Sequence, residues 1–156
     1  MSDTTTLTIY RQLKASRDKV WRCWSEGDLL KQWYCPKPWW VSLATIDVRP
    51  GGKSTIVMNG PNGEENQIHG QYLEVRDGVS QVFSDAYVGD WIPSSKPPFM
   101  TGYVLLSDAP DGGTLMEWGA RHWSVEAAQQ HRAMGFEAGW NAAADQLDGL
   151  AASLGS

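Results

Sequence analysis

The chain has 156 residues, a formal net charge of −5 and a pI near 5.1, so it lacks the broad basic surface that nucleic acid requires of a partner. No apolar run approaches the roughly 18 residues of a membrane span, and the opening MSDTTTLTIY has no charged-then-apolar leader. The expectation is a cytoplasmic protein forming one domain over residues 1–156. Its two cysteines, Cys23 and Cys35, make neither a disulfide framework nor a redox pair and are expected as free thiols. Nine tryptophans are the compositional outlier; such stiff amphipathic rings build cores and also line apolar pockets.

In chain order, TLTIYRQL over residues 6–13 reads as a first strand with Leu7, Ile9 and Leu13 on one face and Arg11 interrupting it. Ser16 is placed to cap RDKVWRCWSEG, whose Val20, Trp21 and Trp24 share a side and whose stop is Gly27. Trp21 and Trp24 are expected to pack this helix on the sheet edge. Asp28 is placed to cap a second short helix, LLKQWY, ended by Pro36 and Pro38. Residues 41–106 read as a meander with turn chemistry at RPGG, GPNGEE and RDG, and a longer loop, GDWIPSSKPP, before FMTGYVLLSD. The turn APDGG leads to the last strand, TLMEWGARHW.

From Ser124 onward the sequence reads as one long amphipathic helix. Phe136, Trp140, Ala143, Leu147, Leu150 and Leu154 recur at spacings of four and three and form one stripe. Gly135 and Gly139 lie beside that stripe, where each costs roughly 0.5–1 kcal/mol relative to Ala. They are expected to allow close approach to a broad surface. Seven strands, with two short helices after the first strand and a long helix at the end, define an α+β order: a sheet gripping a C-terminal helix, with a cavity expected between them.

Strand parity then selects inward-facing residues. In the last strand these are Met116, Trp118, Ala120 and His122, with Leu115, Glu117, Gly119 and Arg121 outside. Met100, Gly102, Val104 and Leu106 share a face, as do Ile56 and Met58, and Phe83, Asp85 and Tyr87. Trp118 and Trp140 are expected to meet across sheet and helix. Met134 is expected to be exposed and His131 to be solvated on the polar side of the last helix.

Several segments resemble a known family. They are ASRDKVWRCW, the segment Leu30 to Trp33, IDVRPGGK, NGPNGEE, HGQYLEV, the GGT turn and MGFEAGWNAAADQL. Together they resemble the bacterial branch of the SRPBCC (START/birch-pollen-allergen-like) superfamily, in particular proteins similar to the C-terminal domain of the activator of heat-shock-protein-90 ATPase. The resemblance implies a helix-grip fold: an antiparallel sheet curved around a long C-terminal helix, with an internal hydrophobic cavity. It also implies apolar ligands such as lipids, polyketides or plant metabolites, and in some relatives cyclase or dehydratase activity. Where relatives often show P-K-G-[FW], this chain has Pro36-Lys37-Pro38-Trp39-Trp40, which enlarges the aromatic surface expected near the cavity entrance. The activator's additional chaperone-contacting domain has no counterpart in these residues.

The expected function is binding of a small apolar or amphipathic molecule between sheet and helix. The expected lining is Trp33, Trp39, Trp40, Met58, His69, Phe83, Tyr87, Met100, Met116, Trp118, His122 and Trp140. Trp33, Trp39 and Trp40 could equally cap the core. His122 and Asp85 are the candidate catalytic groups, because a buried His or Asp acquires a pKa suited to proton transfer. The alternative for each is structural: His122 closing a strand end, Asp85 bonding backbone at a bend. Three histidines without HxH, HExxH or Cys/His spacing give no metal site, and no cofactor is expected. A cyclase, dehydratase or hydrolase using His122, and a chaperone-interacting domain using the outer sheet face, are the alternative functions. Leu105, Leu115 and Tyr103 on that outer face allow a homodimer.

Overall fold

A computed structural model describes residues 4–154. Residues 1–3, at the start of the segment expected not to be a leader, and 155–156, at the end of the last predicted helix, lie outside the described residues. The elements are β1 (Thr6–Leu13), α1 (Arg17–Ser25), α2 (Gly27–Leu30), β2 (Trp40–Ile46), β3 (Lys53–Asn59), β4 (Glu65–Arg76), β5 (Ser80–Ser84), β6 (Thr101–Asp108), β7 (Thr114–Arg121), α3 (Val125–Ala133) and α4 (Phe136–Ser153). The seven strands form one antiparallel sheet in the order β1-β7-β6-β5-β4-β3-β2. The expected α+β helix-grip architecture is the observed one.

The alternation holds on the inner faces of β1 and β7, while the β2–β3 and β4–β5 pairs each carry a register shift. In β1, Leu7, Ile9 and Leu13 are buried. Arg11 sits on the same face because its guanidinium crosses to α4, where Nη1 donates to the Asn141 carbonyl at 3.0 Å and Nη2 to Asp145. The interruption in the apolar pattern is therefore a strand-to-helix tie. In β7, Met116, Trp118 and Ala120 are all buried, as the parity predicts. Gly102 in β6 is needed there because a Cβ would overlap the Phe83 ring lying across it.

The short helices differ from expectation at their ends. Ser16 does occupy the N-cap of α1, but its hydroxyl donates to Asp18 instead of accepting a backbone N–H. The first helix stops at Ser25, and Glu26 serves as its C-cap and as the N-cap of α2. Asp28 therefore lies inside α2 and does not cap it, and α2 is a single turn ending at Leu30. Gly27 permits this because its bare Cα sits against the carbonyl of Ala44 in β2, where a Cβ would overlap it.

The C-terminal segment is two helices, not one. Ser124 caps α3 as its sequence suggests, its hydroxyl accepting the Ala127 N–H at 3.0 Å. The chain then breaks at Met134 and Gly135, and Gly135 adopts the left-handed region at φ 96° before α4 begins. Glycine is the residue that tolerates this conformation, so it ends one helix instead of sitting inside a longer one. Gly139 is helical, but the surface nearest its bare Cα is Pro36, 3.9 Å from a hypothetical Cβ. That is ordinary contact, so the expected close approach at Gly139 is absent, and its neighbour is the loop between α2 and β2, not the sheet. Gln146 ties the same loop to α4, donating to the carbonyls of Trp33 (2.9 Å) and Cys35 (2.7 Å). The predicted stripe survives the break: Phe136, Ala143 and Leu147 are buried, and Trp140, Leu150 and Leu154 pack on the core.

Replacing Gly135 by Ala forces a side chain into the left-handed region and should lower stability by about 1 kcal/mol; Gly135→Asn should lower it less. Urea unfolding of the two variants against the parent checks this, with equal midpoints for Ala and Gly contradicting it.

Candidate functional site

The interior between the sheet and the helices is built on one row of inward side chains. Residues directly opposite in paired strands share a face. The register runs Val75 to Gln81, Gln81 to Val104, Val104 to Trp118 and Trp118 to Ile9, crossing β4, β5, β6, β7 and β1. Above this row the helices and the following loop deliver aromatic rings. Trp24 of α1 lies edge-on to Trp118 at 5.1 Å between centroids and to Trp33 at 4.8 Å. From α4, Trp140 stacks on Trp118 at 4.2 Å with 24° between the planes, so the expected meeting across sheet and helix is present. Tyr34 and Phe83 complete the cluster, each against Trp24. These rings occupy the space where a hollow was expected.

The cluster holds polar atoms that its own residues do not satisfy. Trp33 Nε1 donates to the Cys23 carbonyl at 2.9 Å. The indole N–H groups of Trp24 and Trp118 have no acceptor, and the Gln81 carboxamide has a partner for neither its oxygen nor its nitrogen. All three side chains are at least 98% buried. Leaving such a group unpaired costs about 1–3 kcal/mol each. The remaining unsatisfied atom among the described residues is Gln71 Nε2. Gln71 pairs with Ser84, on the face opposite Phe83, and its Oε1 accepts the Trp91 N–H at 2.7 Å.

A second polar group closes the end of the interior beside β7. His122 follows Trp118 and Ala120 on the inner face and is buried; its Nδ1 lies 3.1 Å from the Thr5 carbonyl. Its Nε2 lies 2.9 Å from Nδ1 of His131. His131 is 7% exposed, which corrects the expectation that it is solvated. The break at Gly135 separates α3 from the periodicity of α4, so the face of α3 could not be read by extending the α4 stripe backward. Phe99 lies edge-on to both imidazoles, and Phe136 and Trp140 lie edge-on to His131 at 5.1 and 5.7 Å. Burial, and secondarily the neighbouring His122, pushes the His131 pKa down to about 4. A carbonyl only accepts, so His122 donates to Thr5 from Nδ1. Both ring nitrogens of His122 are thus engaged.

The remaining expected residues separate into groups. Met116 is buried in the core, and Met58, Met100 and Phe83 are half-buried against it. Trp33 is fully buried, which makes it core and not the rim of a mouth, while Trp39 is half-buried and Trp40 is 56% exposed. Trp24 sits at the centre of the aromatic cluster and not at the sheet edge. His69 is exposed, because it pairs with Thr55 on the face opposite Ile68 and Ile56. Tyr87 and Asp85 lie beyond the end of β5, so strand parity does not extend to them. Tyr87 packs on Trp91, and Asp85 accepts the N–H of Phe99 (2.8 Å) and of Met100 (3.2 Å). Asp85 thus fixes the start of β6, the structural alternative weighed for it. On the outer face, Glu117 accepts from the Tyr103 hydroxyl at 2.6 Å and Arg121 covers the Tyr103 ring at 4.1 Å. That is a tighter arrangement than a loose surface pair. The residue missed entirely is Gln81; extending the Phe83, Asp85 parity backward by two would have found it.

Two depressions lie outside the cluster. One, of about 390 Å³, is bordered by Trp21, Ser25, Val48, Arg49, Pro50, Val75 and Asp77. The other, about 340 Å³, lies on the convex face among Tyr10, Leu105, Leu115 and Glu117. Cys23 and Cys35 are free and buried, and burial raises both thiols to about 11, which makes them unreactive. No group of three or more metal-ligating side chains occurs among the described residues, and no described helix is long and apolar enough to cross a membrane.

A curved antiparallel sheet closed on a C-terminal helix, with an aromatic interior, defines a helix-grip domain. The model of the Activator of Hsp90 ATPase homolog 1-like protein family matches residues 14–152, and the chain belongs to that family. A crystal structure of a protein from Nitrosomonas europaea is 34% identical, covering 94% of this chain and 93% of that one with a TM-score of 0.89. One from Mycobacterium smegmatis is 29% identical, covering 98% and 94%, with a TM-score of 0.76. A solution structure from Arthrobacter aurescens, 22% identical over 100% and 91%, shares the fold at a TM-score of 0.80. None of the curated proteins matches the chain.

The depressed His131 pKa sets a sign for stability against pH. The unfolded imidazole protonates near its ordinary value of about 6.5 and the folded one near 4, so between these values the unfolded state holds more protons. Stability is therefore full above pH 6.5 and falls as pH drops toward 4, by roughly 1–2 kcal/mol after solvent screening. Denaturant unfolding at pH 7 and pH 4.5 should show this loss, and His131→Phe should flatten it; an unchanged slope in that variant contradicts the assignment.

Proposed function

We propose that the protein binds a small, flat, largely apolar molecule carrying an acceptor atom, taken up between the sheet and the helices over the Gln81–Val104–Trp118 row. One observation carries this reading: three side chains over that row hold four buried polar atoms with no partner. A carbonyl or carboxylate oxygen on the ligand would accept from the Trp24 and Trp118 indoles, and the Gln81 amide would take a second polar group. Burial of the ligand's apolar part supplies most of the affinity, at about 25 cal/mol per Å² removed from water. Trp140 is only half-buried, so its indole is the ring most easily displaced to make room over Trp118. The family's apolar ligands, implied by the sequence resemblance, fit this chemistry.

The probe is 2-acetylnaphthalene, followed through the indole N–H signals in a nitrogen–proton correlation spectrum. Its binding should shift the Trp24 and Trp118 signals, with Trp33 moving less. Gln81→Met removes an unsatisfied amide at similar volume and should raise the stability of the free protein by about 1–2 kcal/mol. Indole signals that stay in place, or a Gln81→Met protein less stable than the parent, would refute the reading.

A second reading has its own support. The family's description names activation of the Hsp90 ATPase, and the convex face exposes Tyr10 (73%), Leu105 (44%) and Leu115 (41%) around a depression. Docking of a chaperone there predicts that Leu105→Glu abolishes co-purification with that chaperone, whereas Gln81→Met leaves it intact. Co-purification unaffected by Leu105→Glu argues against this face.

A further inference from the structure

We infer that the seam between α1 and the turn joining β2 to β3 is the mouth of the interior site, closed by the Trp21 indole, and that the flat apolar ligand enters through it. This rests on the interior-binding reading and adds to it the route and the gate.

The depression of about 390 Å³ lies on this seam, and its volume falls within the roughly 300–1,000 Å³ of small-molecule sites. Its inner wall is apolar, made by Trp21, Val48 and Val75, while Arg49 and Asp77 on the rim are exposed. Behind that wall stand unpaired polar atoms. Val75 pairs with Gln81 across β4 and β5, so the two side chains share the inner face. Trp21 comes three residues before Trp24 on α1, so both indoles leave the same side of the helix. A molecule that passes Trp21 and Val75 therefore meets the Gln81 carboxamide and the Trp24 N–H first, and Trp118 further along the row.

The seam is fastened at its ends and open between them. At one end Arg17 donates from Nη1 to the Gly78 carbonyl at 2.8 Å and from Nε to Asp108 at 3.0 Å. At the other, Gly27 rests on the Ala44 carbonyl. Among the described residues no hydrogen bond or ion pair joins residues 20–25 to residues 47–52 or 75–77. The outer lip is rigid: the Gly51 N–H donates to the Tyr72 carbonyl at 2.8 Å, the Tyr72 N–H to Gly52 at 2.9 Å, and the Asp90 N–H to Gly51 at 2.9 Å. The end of α1 is held as well, the Ser25 hydroxyl donating to the Trp21 carbonyl at 2.7 Å. What is left to move is the Trp21 side chain, 9% exposed and held across the seam by packing alone.

A gate sets the barrier and not the bound state, so it governs both rates and leaves the equilibrium alone. The probe is 2-acetylnaphthalene, its association and dissociation timed by stopped-flow tryptophan fluorescence. Ser25→Trp sets a second ring in the depression and should slow both rates by about tenfold, with Kd held within about twofold. Ser107→Trp, the same change in the convex depression, should leave both rates at the parent's values. Trp21→Phe puts a smaller ring in the seam and should speed both by about threefold.

Parent rates in Ser25→Trp, with the Trp24 and Trp118 indole signals still shifting, overturn the mouth and leave the interior reading intact. Equal slowing in Ser107→Trp does the same. Should Ser25→Trp fail to fold, unchanged rates in Trp21→Phe overturn the mouth by themselves. Indole signals that the probe leaves unmoved in the parent overturn both.

Discussion

The Trp118 indole is the contact on which the interior depends. It stacks on Trp140, meets Trp24 and Trp33 edge-on, and thereby joins β7, α4, α1 and the segment after α2 through one ring. A large aromatic side chain buries roughly 150–250 Å², worth about 4–6 kcal/mol at 25 cal/mol per Å². An indole N–H left without an acceptor costs about 1–3 kcal/mol. Burial wins, so the cluster is stable with its donors unpaired, but the margin is smaller than in a core of Leu and Ile. That difference is the local cost of keeping donors inside an aromatic core.

The unpaired atoms are not scattered. Elsewhere, buried polar groups are satisfied by the fold itself: Thr114 donates to the Ala15 carbonyl, Trp33 to Cys23, Ser84 to Met100, and His122 is bonded at both nitrogens. The exceptions on the concave side gather on Gln81, Trp24 and Trp118. Even Gln71, whose nitrogen is also unpaired, uses its oxygen to hold Trp91. A fold that satisfies most of its buried polar groups among the described residues, yet leaves four atoms unpaired around one row, has the local inconsistency expected where structure yields to function.

Much of this was legible in the sequence, for identifiable physical reasons. Strand parity located Met116, Trp118 and His122 because β7 is regular from Thr114 to Arg121 and has one solvent face. It misplaced Tyr87 and His69 because β5 ends at Ser84 and because β4 alternates cleanly enough only when its partner β3 is known. The helical stripe found Phe136, Trp140 and Leu147, since α4 keeps one period along its length. His131 was misread because a left-handed residue resets the phase between two helices, and a glycine in a helical pattern does not announce whether it breaks the helix. Gln81 escaped because polarity on a predicted inner face looks like noise until its neighbours are seen to offer it no partner.

The break at Gly135 also explains how the aromatic cluster and the imidazole pair share one interior. A continuous helix would carry a single apolar stripe across the sheet. By turning through the left-handed region, the chain lays α4 along Trp118 while α3 brings His131 back to His122. Trp140, one turn into α4, is left between them, against both Trp118 and His131. The unpaired indole donor of Trp118 and the imidazole pair are therefore joined through one ring. Trp140 thus couples the packing of the aromatic cluster to that of the imidazole pair, which a single uninterrupted helix carrying one stripe would not do.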